Sequence, residues 1–206
     1  VKYIGHLDLH TAWERAFRRA GLPLAFSQGF NPRPRFQIAA ALPVGVTGAG
    51  ERLDVWLDGR VEPGEALHRL QAQLPLGFGV SAVEEVDLRG PSLQSQMRAA
   101  FYRAVVDTPE PIEGVRARVQ SLLDAPTLPR QRHHKGKLRT YDLRPLIHDI
   151  AVSGGQEEAR VLEMHLEASP QGAGRPDEIL DVLGLSLAPH RVERTTLVFA
   201  VAEFDK

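Results

Sequence analysis

The first residues whose types and spacing could do chemistry are His6-Leu7-Asp8-Leu9-His10. On a strand all three polar side chains share one face; on a helix His6 and His10 share a face and Asp8 points elsewhere. The pattern crosses from strand to helix at Asp8, which reads as the N-cap, so no metal site is expected. His6 and His10 stay as the candidate acid–base groups. Arg15, Arg18 and Arg19 follow, off the apolar stripe of the same helix and near its C-terminal end, where the helix dipole favours cations. They read either as a solvated face or as phosphate contacts. Ser27-Gln28-Gly29-Phe30-Asn31-Pro32-Arg33-Pro34 then combines a permissive Gly with two φ-fixing Pro residues, so one shape costs little entropy. It presents Phe30, Asn31, Arg33 and Arg35 outward, as a stiff connector or as a preorganised recognition loop. The last such stretch, residues 130–144, sets Arg132, Lys135, Lys137 and Arg139 around Gly136, with Tyr141 close by. Cations beside an aromatic suit phosphate contact plus base stacking, hence RNA; a solvated, mobile loop is the plainer alternative.

Composition bounds what these residues can do. The 206 residues contain no Cys, which excludes disulfides, thiol catalysis, zinc ribbons and cysteine-held iron–sulfur clusters. The net charge of −1 hides a segregation. Residues 1–40 carry six Lys/Arg against two Asp/Glu, and residues 130–144 carry six against Asp142 alone. With a Debye length of about 8 Å in physiological salt, local concentration matters more to a polyanion than the total. No apolar run reaches membrane-spanning length and no leader is recognisable, so no membrane partner and a cytoplasmic location are expected. No cofactor is expected either: the dinucleotide, P-loop, Gly-x-Ser-x-Gly and His-Glu-x-x-His motifs do not occur.

The elements that must hold these groups follow from periodicity. A short strand over Val1–Gly5 precedes a helix with Leu9, Ala12, Trp13, Ala16, Phe17 and Ala20 on one stripe. Strands follow at Leu24–Ser27, Phe36–Val46 and Arg52–Leu57, then a helix from about Glu62 and a strand at Phe78–Val86. After a linker at 91–100 the order restarts: a strand at Phe101–Val106, a helix at Val115–Leu123, one or two strands between Leu128 and Val152 that carry the basic arm, a strand at Arg160–Ala168, a helix from Arg175-Pro176, and a closing strand at His190–Val201. Both halves read as β-α-β-β-α-β. The expected fold is therefore α+β, with two tandem ferredoxin-like domains built on antiparallel sheets, at 1–90 and 101–206, the second with a basic arm at 130–144.

These residues together resemble the radical SAM-linked protein family (domain of unknown function 2344). The resemblance is carried by His6-Leu7-Asp8-Leu9, by Arg15-x-x-Arg18-Arg19-Ala20-x-Leu22-Pro23, by Ser27-x-Gly29-Phe30-Asn31-Pro32-x-Pro34, by Ala41-Leu42-Pro43-x-Gly45 and by Glu51-x-Leu53-Asp54. Lys135-Gly136-Lys137-x-Arg139-Thr140-x-Asp142-Leu143-Arg144-Pro145 and Arg175-Pro176 add the second half. The resemblance implies residues ahead of Val1, including a strand, and a gene beside, or fused to, one for a cobalamin-type radical SAM protein. A chain without Cys cannot be that radical enzyme, so the resemblance implies its companion. Three readings follow: an RNA-binding adaptor that presents tRNA or rRNA to the radical SAM partner, a metal-independent endoribonuclease resembling CRISPR repeat-processing enzymes with His6 or His10 as base, and a protein-docking module without RNA contact.

Overall fold

A computed structural model of the chain describes residues 2–134, 136–154 and 158–200. It is a mixed α+β fold in two compact units: Val1–Gly45 with Arg52–Leu93, and Val46–Glu51 with Gln94–Lys206.

The first unit opens on α1 (His6–Arg19). Its start differs from the sequence expectation. Gly5, extended at φ −70° and ψ 159°, is the N-cap, and its carbonyl accepts the Leu9 amide at 2.9 Å. Asp8 lies inside the first turn, where its charge offsets the helix dipole rather than capping it. Ala16, Phe17 and Ala20 are buried, with Leu9 and Trp13 packed against the same cluster. Two short strands face them. β1 (Phe36–Ile38) pairs antiparallel with β3 (Leu53–Val55); β2 (Val46–Gly48), between them in the chain, belongs to the second unit. α2 (Pro63–Gln71) begins with Pro at N1, where a missing amide costs nothing, and buries Ala66 and Leu70.

The first unit lacks the full expected strand order among its described residues. Residues 2–5 form no strand, and Val1 lies outside the described residues. The strand expected at Phe36–Val46 stops at Ile38, after which the chain bends and Pro43 has no amide to donate. Phe78–Val86 joins no ladder; Val83 packs on the core while Val86 is exposed, so alternation there does not reflect pairing. The tandem ferredoxin-like order is thus not seen in this unit.

The second unit starts with α3 (Leu93–Gln96) running into β4 (Met97–Asp107), then α4 (Ile112–Asp124). β5 (Pro129–His134) and β6 (Lys137–Asp142) form a separate antiparallel hairpin. A single 3-10 turn at Arg144–Leu146 leads to β7 (Ile147–Gly154), β8 (Ala159–Ser169), the two-residue β9 (Gly172–Ala173), α5 (Pro176–Val182) and β10 (His190–Phe199). The main sheet runs β2-β10-β4-β8-β7. Apart from β2, which joins β10 in parallel, its neighbours are antiparallel. Omitting α3, the 3-10 turn, the hairpin, β2 and β9, the order along the chain is β4-α4-β7-β8-α5-β10, that is β-α-β-β-α-β. Tyr102, Ala104 and Val106 of β4 and Leu162, Met164 and Leu166 of β8 alternate inward, and Ile179 and Leu180 of α5 are fully buried. At about 1.5–3 kcal/mol per large side chain, this core is the main favourable term.

Segment 46–51 is fixed to this sheet by two devices. Glu51 grips the Arg194 guanidinium through both oxygens, at 2.7 and 2.5 Å, with Arg194 only 2% exposed. Burial works against the arginine's charge, and the bonds to Glu51 outweigh it, holding its pKa above the ordinary value. Gly50 lies so close to β10 that a Cβ would sit 2.3 Å from the Thr195 carbonyl oxygen. Among the described residues no helix is long and apolar enough to cross a membrane.

Candidate functional site

Of the sequence-predicted residues of the first unit, Phe30, Asn31 and Arg33 lie on the Ser27–Pro34 loop, and Arg35 and Arg18 lie at its base. The loop closes a narrow ladder: Phe26 bridges Pro34, and Leu24 bridges Leu57. Ser27 donates its amide to the Arg33 carbonyl at 2.8 Å, and the Ser27 hydroxyl oxygen accepts the Arg33 amide at 3.0 Å. Arg35 donates to Ala25 at 2.8 Å, and Trp56 donates to Arg35 at 3.0 Å. Gly29 sits at φ 143°, and a Cβ there would meet nothing within 4 Å. Glycine is therefore required by the backbone conformation, not by crowding. Pro34 is buried, while Gln28 to Arg33 are exposed and the Phe30 ring is fully in solvent. The loop is held at its base and presents its tip.

Cations and aromatics alternate around that base. The Arg35 guanidinium lies 5.1 Å over the Trp56 ring, and Arg18 lies 5.4 Å over Phe26. Arg18 also pairs with Glu14 at 3.1 Å, and Arg19 donates to the Gln73 carbonyl at 2.9 Å. Arg15 is exposed and makes no hydrogen bond or ion pair among the described residues. Asn31 is exposed at the tip.

Because α1 starts at His6, the two histidines lie one turn apart on one helix face, the helical alternative of the two geometries. The His10 ring stacks on Phe36 at 4.0 Å. Burial holds its pKa below the ordinary histidine value; Glu14 opposes the shift, and His6 and Arg33 add to it. His10 is therefore a neutral imidazole at neutral pH. Among the described residues no three His, Asp or Glu side chains converge as a metal site.

In the second unit the basic arm is the β5–β6 hairpin. Its register pairs Arg130 with Tyr141 and Arg132 with Arg139. Directly paired residues share a face, and alternate pairs share it too, so these four side chains form one row. The root of the row is tied to α5. Arg130 forms an ion pair with Asp181, and that bond holds the carboxyl below its usual range. Burial, then Glu178, pushes the Tyr141 phenol up to about 12, so it stays protonated. Further out, Arg132 lies 5.4 Å over the Tyr141 ring, and Arg139 faces it across the ladder. Neither Arg132 nor Arg139 has a carboxylate partner among the described residues, and like charges placed opposite each other cost stability. Lys135 lies outside the described residues, as does the side chain of Lys137.

Behind the arm the chain is tied down. The Asp142 carboxylate accepts the Leu128 and Arg144 amides at 2.7 and 3.0 Å, and Leu143 is fully buried. Arg144 is structural, donating to the carbonyls of Leu123 at 3.0 Å and Ile147 at 2.7 Å.

Sequence reasoning missed the solvent-facing side of the main sheet. There Phe101 of β4 stacks on His165 of β8 at 4.3 Å and 7°, and His148 lies 4.7 Å from His165. The available signal was Phe101, a large aromatic, on the outward face of β4 beside Arg103.

The family model described as "Uncharacterized protein conserved in bacteria (DUF2344)" matches residues 1–176, and the chain belongs to that family. No curated protein matches it.

Proposed function

We propose that this DUF2344 protein is a non-catalytic RNA-binding accessory protein of the cytoplasm, which takes up tRNA or rRNA and presents it to a cobalamin-type radical SAM enzyme. The reading takes the two units as a tandem pair of ferredoxin-like modules, the first reduced to its helices and a short ladder. The observation that supports the RNA part is the hairpin row. Arg132 and Arg139 face each other without a carboxylate between them, on a rigid root, beside an aromatic ring. A phosphodiester placed there relieves their repulsion and accepts from both. The partner rests on the resemblance, together with the missing Cys that bar this chain from holding a cluster itself. A cleavage role has less support: His10 is stacked on Phe36, and no hydrogen bond orients it among the described residues.

The test titrates the full chain against fluorescently labelled tRNA between 50 and 200 mM salt. Each lost phosphate contact lowers the slope of log affinity against log salt by about 0.7–0.9. The double variant Arg132→Ala/Arg139→Ala should therefore bind more weakly, with a slope smaller by about 1.4–1.8. Equal affinity and equal slope in parent and variant would overturn the reading.

A further inference from the structure

The solvent-facing side of the second unit's sheet carries a second feature that the arm does not use. On the neighbouring strands β4 and β8 Phe101 stacks face to face on His165 at 4.3 Å, with Phe101 39% exposed. Two residues along β4, on the same face, Arg103 borders a cleft of about 280 Å3 that also contacts Thr47, Val105, Arg191 and Glu193. We propose that this face seats single-stranded RNA, with an unpaired base against the Phe101–His165 pair and the adjoining phosphate in the Arg103/Arg191 cleft. The proposal rests on the RNA-binding reading above and adds where, and in what form, the RNA lies.

Three observations select this occupant. Phe101, exposed and stacked on the half-buried His165, offers its free ring face on an antiparallel pair of strands, and unstacked bases are what such a face takes. The cleft is open to solvent and bordered by two arginines, so it suits one phosphate of a strand lying across the sheet better than an enclosed ligand. Arg191 borders it exposed and without an ion pair among the described residues.

The face is not strongly basic, and that sets the expected signature. Glu163 is paired with Arg103 at 3.2 Å, and Glu167 with His148 at 3.1 Å, while Glu193 and Asp149 add negative charge. Burial and the neighbouring His148 keep His165 below the ordinary histidine value, so near neutral pH it stacks as an uncharged ring. Binding here comes from stacking, with little counterion release.

The full chain is titrated with a labelled, unstructured RNA oligonucleotide across the same salt range, in parallel with Phe101→Ala, Arg191→Ala and the arm double variant. Stacking is worth about 1–3 kcal/mol per base, so Phe101→Ala should weaken binding about 5- to 150-fold while leaving the salt slope unchanged. Arg191→Ala, at an exposed position that leaves the core intact, should weaken it less and lower the slope by about 0.7. A double-stranded RNA competitor should displace the oligonucleotide poorly. Parent-like affinity in both Phe101→Ala and Arg191→Ala overturns the sheet-face site while the arm variant's loss leaves the RNA-binding reading standing. No binding by the parent chain to either RNA overturns both.

Discussion

Glu51→Ala should cost the second unit more than any exposed substitution of comparable size. The variant takes the carboxylate from a guanidinium that is 2% exposed and bonded by both Glu51 oxygens, leaving its hydrogen bond to the Tyr102 side chain but no counter-charge from Glu51. Removing one partner of a buried pair costs about 3–5 kcal/mol, because the surviving charge stays buried. Glu51 itself is 28% exposed, so water can enter the vacated space, and the lower end, about 3 kcal/mol, is the working figure. Against a domain stability of about 5–15 kcal/mol this is a large fraction. The assay is native-state hydrogen exchange resolved by segment, since global unfolding of a two-unit chain mixes transitions. Protection over β10 and β4 should fall, while α1 and the loop ladder keep theirs. Repeating Glu51→Ala on an Arg194→Met background supplies the cycle: with no buried charge left to strand, its cost should drop below about 1 kcal/mol. An equal cost in both backgrounds, or unchanged protection of β10, would refute the argument that segment 46–51 is held by this pair.

Two further outcomes concern the first unit, which contains both tryptophans, Trp13 and Trp56, and so reports by fluorescence. Gly29→Ala should lower its urea midpoint by the equivalent of about 1–2 kcal/mol, purely through backbone strain at φ 143°; an unchanged midpoint would show that the loop relaxes freely. His10 has a lowered folded pKa, so the stability it contributes is complete above the unfolded value of about 6.5 and is lost as pH falls through the folded one. The midpoint should therefore drop between pH 7.5 and pH 5.5, and His10→Gln should flatten that drop; Asp54, whose carboxyl pKa burial raises, contributes with the opposite sign. An equally steep drop in His10→Gln would assign the loss to other groups.

What the sequence made legible was local. The stripe of α1, the Pro at the start of α2 and α5, and the alternation of β4 and β8 each follow from neighbours in the chain, and the structure places Phe17, Ala66, Ile179 and Leu162 inward accordingly. Boundaries moved where a local signal had two uses. Asp8 can cap a helix or sit in its first turn, and here Gly5 caps. What could not be read was non-local. Nothing near Val46 says that its strand pairs with Val192, far along the chain, and the partner of Glu51 lies 143 residues away. Phe78–Val86 shows the converse: alternation is necessary for a half-buried strand but does not supply a neighbour to pair with.

The same distinction decides which cations can act. Read as composition, the two basic stretches are uniform; in the structure much of their charge is already committed. Arg130 is spent on Asp181, Arg144 on two carbonyls behind the arm, Arg19 on Gln73, and Arg18 on Glu14. Those residues fix the elements, and replacing them changes geometry before it changes affinity. Arg15 and Arg33 in the first unit, and Arg132 and Arg139 in the second, are exposed and have no carboxylate partner among the described residues. A ligand anion gains most from these, because it need not displace an existing bond to reach them. The exposed Phe30 at the loop tip and the Arg132–Tyr141 contact on the arm then supply what a bare cation cannot, a flat apolar surface beside the charge. On the proposed reading, charge without a partner next to an aromatic is what separates a binding surface from a solvated one; the arm shows that pairing in Arg132 and Tyr141.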